Sequence, residues 1–166
     1  MISSELAGWS TFFSTAAEAS ATLAGLVMVA ISANVRQIIA FKHLPRRALA
    51  AIGALCLVLA ASLAALIPQP PAAFAFEIDL IAVLSWVMHL DVARRIIDGH
   101  REIGRPRRDT VISVLMGQVQ VWPLTIGAVL LTLGDARGLY GLAITVCAAL
   151  LVSALNGWVL LVEILR

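Results

Sequence analysis

The chain has 166 residues, 61% of them hydrophobic and 13% charged, with 12 Lys and Arg against 10 Asp and Glu. Soluble domains run at about 45–50% apolar and about 25% charged, and a domain this small turns much of its surface to water. The composition therefore excludes an ordinary soluble fold and a disordered chain, and a net charge of +2 is too small to suggest a nucleic-acid binder. An integral membrane protein remains.

A spanning helix needs roughly 20 mostly apolar residues. In chain order, the first such segment is 9–33, interrupted by Glu18 and several hydroxyls. The second, 48–67, carries no charge and stops at Pro68-Gln69-Pro70-Pro71, a run that cannot continue a helix. The third, 72–93, contains Glu77, Asp79, His89 and Asp91 and is the least clean. The fourth, 111–133, contains Pro123, which a transmembrane bundle tolerates because neighbouring helices satisfy the freed carbonyl. The fifth, 139–165, is the longest. The expected fold class is all-α, a polytopic bundle of five spans forming a single transmembrane domain over 1–166. Four spans is the alternative, if the third segment only lies in the interface.

Loop charge gives the orientation. The first connection holds Arg36, Lys42, Arg46 and Arg47, and the third holds Arg94, Arg95, Arg101, Arg105, Arg107 and Arg108. The second has none, the fourth has only Arg137, and Arg166 ends the chain. With five spans, connections one and three and the C-terminus share a side and carry all but one of the basic residues. The positive-inside rule makes that side cytoplasmic and the N-terminus external. The opening Met1–Glu5 has no basic flank and lacks the charged region of a cleavable signal peptide. The Arg94–Arg108 stretch, with Asp98 and Glu102 inside it, reads as an orientation signal that meets anionic headgroups. Cys56 and Cys147 both sit in apolar spans, so no disulfide framework is expected.

No catalytic set, cofactor loop or metal-ligand spacing is present. There is no Gly-rich phosphate loop, Cys-x-x-Cys, His-x-x-x-His or Gly-x-Ser-x-Gly. His89 and Asp91 are two apart and point about 200° from each other on a helix, so they cannot clamp one metal together. Asp91 is expected to pair with Arg94 or Arg95, and His89 to bond a neighbour. Glu77 and Asp79 read as solvated in the outer headgroup zone. Gln118 and Gln120 face different ways and read as interhelical hydrogen-bonding groups. Ala149, Ser153 and Gly157 recur every four residues, a close-packing edge for a neighbouring helix within the chain or between subunits.

The first span carries the feature that stands apart. Thr11, Thr15, Glu18, Thr22, Gly25, Val29, Ser32 and Arg36 fall at heptad spacing and form one narrow stripe of mostly small and polar residues. Ala17, Ala21 and Gly25 add a small-xxx-small edge beside it. An ionised side chain near the bilayer centre costs at least about 2.5–3.5 kcal/mol, so Glu18 is expected to face protein or water. It either fixes register by bonding Thr22 or another span, or the stripe lines a hydrated path. Five short spans leave little room for a pore in one subunit, so a path requires an oligomer.

Two stretches carry resemblances. SATLAGLVMVA (Ser20–Ala30) and NGWVLLVEILR (Asn156–Arg166) resemble a widespread group of small bacterial multi-span membrane proteins of uncharacterised function. That likeness implies the bacterial cytoplasmic (inner) membrane and brings no activity. The first stretch alone is also similar to the pore helix of Orai-type calcium channels. Ala33 stands where that family has its selectivity glutamate, Glu18 stands where it has a basic residue, and the direction through the membrane is reversed, so no functional residue carries over.

The expected function is a homo-oligomeric, channel-like membrane protein that passes small ions, cations by sign, along a path lined by the first helix. Its lining would be Glu18, Thr22, Gly25, Val29, Ser32 and Arg36, with helix packing through Ala17, Ala21, Ala149, Ser153 and Gly157. The alternative is a non-conducting structural or accessory protein that binds other membrane proteins. Expected partners are the lipid bilayer, further copies of the chain and small ions. No enzymatic activity, cofactor or nucleic acid is expected.

Overall fold

A computed structural model describes residues 2–33, 35, 44–103, 118 and 121–164. They form six helices: α1 (Ile2–Gly8), α2 (Ser10–Ala33), α3 (Leu44–Leu66), α4 (Pro71–Ile103), α5 (Val121–Thr132) and α6 (Gly138–Ile164). No strand occurs among the described residues, and the protein is all-α. Free Cys56 and Cys147 are both exposed.

Each helix boundary has a chemical cause. The last turn of α3 leaves carbonyls without intrahelical donors, and the Gln69 amide donates to Ala64 O at 2.9 Å. Pro71 then opens α4 from the first helical position, where a missing N–H breaks nothing. At the end of α5, Gly134 takes a left-handed φ of 85°. Asp135 N donates to Leu130 O at 2.8 Å and Gly134 N to Leu131 O at 3.0 Å, a Schellman closure that satisfies two orphan carbonyls. Asp135 Oδ1 accepts from Arg137 N at 2.9 Å, turning the chain directly into α6.

Among the described residues, four helices are long and apolar enough to cross a membrane: Ser10–Ala33, Leu49–Leu66, Pro71–Asp91 and Gly138–Trp158. At 1.5 Å per residue the 21 residues of Pro71–Asp91 reach about 31 Å, matching a hydrocarbon core of about 30 Å. The third segment, expected to be the weak one, is therefore long enough to span. The shorter helix is in the fourth segment, where Val121–Thr132 has 12 residues and reaches about 18 Å. Residues 111–117, which the expected fourth span includes, lie outside the described residues. The outward surface suits lipid: Leu26, Leu49, Val87, Leu151 and Leu155 are all exposed.

The chain divides into two compact units. The first comprises Ser3–Pro70 together with α6 from Val146 onward. In it α2 packs along α3, and Ala16, Val58, Val146 and Ala149 form a buried cluster against Phe12 and Leu150. Phe13 and Leu55 are fully buried. Alanines dominate this core, which allows close backbone approach where lipid supplies no hydrophobic drive between helices.

The second unit is Pro71–Thr145, in which α4 packs along α5 and Phe74, Ile78, Val121, Leu139 and Leu142 are buried. Here glycines decide the packing. A Cβ on Gly141 would stand 2.6 Å from Pro123 O and 2.8 Å from Gly127 Cα, and one on Gly127 would stand 2.7 Å from Gly138 O. The start of α6 thus rests on the backbone of α5 with no side chain between them.

Candidate functional site

The buried face of α2 consists of Phe13, Ala16, Ala17, Ser20 and Val27. At about 100° per residue the heptad stripe centres roughly 170° away around the helix. Thr11, Thr15, Glu18, Thr22, Gly25, Val29 and Ser32 are all exposed. The structure therefore brings the described members of the stripe together on one open face. Arg36 lies outside the described residues.

Three hydroxyls of the stripe are turned inward by one proton each. Thr15 Oγ1 donates to Thr11 O at 2.9 Å, Thr22 Oγ1 to Glu18 O at 2.8 Å, and Ser32 Oγ to Met28 O at 2.9 Å. A hydroxyl whose proton is committed to its own helix keeps oxygen lone pairs for an outside group. The face thus offers acceptors and a carboxylate, the donor set for a cation and not for an anion. Thr22 bonds the backbone oxygen of Glu18, not its carboxylate. Glu18 is exposed, and no described side chain partners its carboxylate. A register-fixing bond between the Glu18 carboxylate and Thr22 is absent. Gly25 meets nothing within 4 Å of a built Cβ, so its open position is a notch in the same face.

The two small-residue edges have different fates. Ala149, Ser153 and Gly157 on α6 are all buried in the first unit. Ser153 Oγ donates to Ala51 O of α3 at 3.4 Å, and a Cβ on Gly157 would touch Val27 Cγ2 of α2 at 3.4 Å. That edge closes helices within the chain. On α2, Ala17 is buried while Ala21 and Gly25 are exposed, so this edge is only half used.

Two contacts in the second unit were missed by reading residues singly. Asp79, expected to be merely solvated, accepts from Thr132 Oγ1 at 2.8 Å and ties α4 to the end of α5. The Trp86 indole donates to Thr125 Oγ1 at 2.8 Å and stacks edge-on with Trp122, ring centroids 5.7 Å apart. A signal was available: Thr125 and Thr132 stand seven apart on one face of α5, as Asp79 and Trp86 do on α4. His89 makes the local bond expected of it, to Ser85 O at 2.8 Å. The Gln118 side-chain oxygen is buried without a partner among the described residues, and Gln120 lies outside them. No group of three metal-ligating side chains occurs among the described residues. The chain matches no protein-family model, no curated protein and no solved structure.

Proposed function

We propose that the protein is a homo-oligomeric, channel-like protein of a bacterial cytoplasmic membrane, in which the α2 helices of several copies line a path for small cations. One observation carries the reading. The polar stripe of α2, with a Glu18 carboxylate that has no partner among the described residues, lies open on the face opposite the buried one. An exposed carboxylate within a 24-residue apolar helix is unfavourable against lipid, and a ring of copies would place it against water and its own kind. Thr22, Gly25, Val29 and Ser32 then line the path beyond Glu18, with Arg36 at its cytoplasmic end. The proposed topology has five spans, the segment 111–133 supplying the one that α5 continues, with the N-terminus outside and the Arg-rich connections inside.

The test is cation flux through purified protein in vesicles. Glu18→Gln keeps the shape and removes the charge, so flux or selectivity should fall several-fold with the oligomer intact, and Glu18→Lys should suppress cations further. An assembled oligomer that passes no ion under any voltage or gradient sinks the channel reading and leaves a non-conducting accessory protein.

A further inference from the structure

A cavity of about 370 Å³ opens in the second unit, where the first turns of α4 meet the end of α5. Its walls are apolar, supplied by Ala72, Ala75, Phe76 and Leu131, and its polar wall is Asp79 with Thr132. A few polar groups among apolar walls are the usual make-up of a small-ligand site, and this volume falls in the usual range. Thr132 Oγ1 donates to Asp79 Oδ2 and also reaches Ala128 O at 3.1 Å, so the hydroxyl holds the carboxylate in place. No bond to a described residue occupies Asp79 Oδ1. The negative end of the α5 dipole lies beside the same carboxylate. The amino end of α4 borders the other side of the cavity, which sets a direction and favours a cation at the Asp79 end.

The chain around the cavity narrows the ligand. Thr132 is the last residue of α5, and the polar turn with Asp135 and Arg137 follows at once. Asp79 therefore sits beside the point where the apolar helix α5 gives way to polar chain. Phe76 and Ala72 are exposed at the cavity wall and present an apolar surface. We propose that this cavity binds an organic ammonium group, its N–H protons donated to the Asp79 carboxylate and its carbon chain lying along Phe76 and Leu131. A phospholipid ethanolamine headgroup supplies that chemistry from the bilayer, and a free primary amine supplies it from solution. The site uses none of the residues of the α2 stripe and does not depend on ion conduction.

Native mass spectrometry of the purified chain tests it with dioleoyl phosphatidylethanolamine and dioleoyl phosphatidylglycerol as probes. At equal lipid concentration the ethanolamine lipid should bind at least threefold more tightly. Asp79→Asn still accepts the Thr132 proton, so the helices stay joined, but the preference should fall to about one. Ala72→Leu, which fills the cavity from an exposed position and leaves the carboxylate, should lower it likewise. Millimolar ethanolamine added alone separates the two sources. Displacement of the lipid assigns the site to a free amine, and no displacement assigns it to the headgroup. Equal binding of both lipids to the unmodified chain, or an undiminished preference in Asp79→Asn, would overturn the proposal.

Discussion

At the scale of single residues, polar atoms separate by whether the chain answers them. Ser153 reaches a carbonyl on another helix and Ser20 bonds Ala17 O at 2.9 Å, but the Ser62 hydroxyl is fully buried with no partner among the described residues. A buried hydroxyl left unmade costs about 1–3 kcal/mol in desolvation, so its removal forfeits nothing. Ser62→Ala should leave the thermal midpoint unchanged or raise it, and a loss above about 1 kcal/mol would reveal a hidden partner. Ser153→Ala should do the opposite, lowering stability by up to about 1 kcal/mol through loss of the bond that ties α6 to Ala51 O of α3. Glu18 belongs to neither class, because it is exposed in a helix that lipid would otherwise surround. Glu18→Leu should therefore fold at least as well as the unmodified chain while losing any cation flux, an outcome that a purely structural carboxylate would reverse.

Between helices, glycine placement distinguishes contacts made inside the chain from faces left open. Gly127 and Gly141 stand where any Cβ would press on backbone at 2.8 Å or less. Gly141→Ala should destabilise the α5–α6 crossing by about 1–3 kcal/mol, since backbone cannot swing aside as a side chain does. Gly25 lies at the other extreme, with open space around it. Gly25→Ala should stabilise α2 by about 0.5–1 kcal/mol through reduced backbone entropy. Gly25→Leu should leave the folded chain intact, so any loss of oligomer on native mass spectrometry would report a contact between copies. Gly157→Leu acts differently: Val27 of the same chain stands against it, and the variant should lower fold stability whatever the assembly state.

For the molecule as a whole, the charge asymmetry predicts which connections face which side. In a background with Cys56→Ala and Cys147→Ala, single cysteines at Ser3 and Asp135 should react with an impermeant thiol reagent from outside intact cells. One at Glu102 should not, because that end of α4 lies in the Arg-rich region that the positive-inside rule keeps cytoplasmic. Labelling at Glu102 would reverse the orientation. Ser3 and Glu102 reacting alike would leave an even number of spans between them and favour four spans over five.

The membrane class, the all-α architecture and the apolar lengths of four spans were written in the sequence, because composition and run length act locally and need no partner to be read. The heptad stripe on α2 was legible for the same reason: helical geometry alone gathers Thr11 to Ser32 on one face. What that face meets was not, since an exposed stripe and a buried one have the same spacing. Only tertiary structure decided that the Ala149-Ser153-Gly157 edge packs inside the chain while Ala21 and Gly25 stay open. It also decided that Asp79, read as solvated, is held by Thr132 from 53 positions away. Periodicity specifies a face, and long-range packing chooses its partner, because that choice depends on backbone approach between segments that no local pattern encodes.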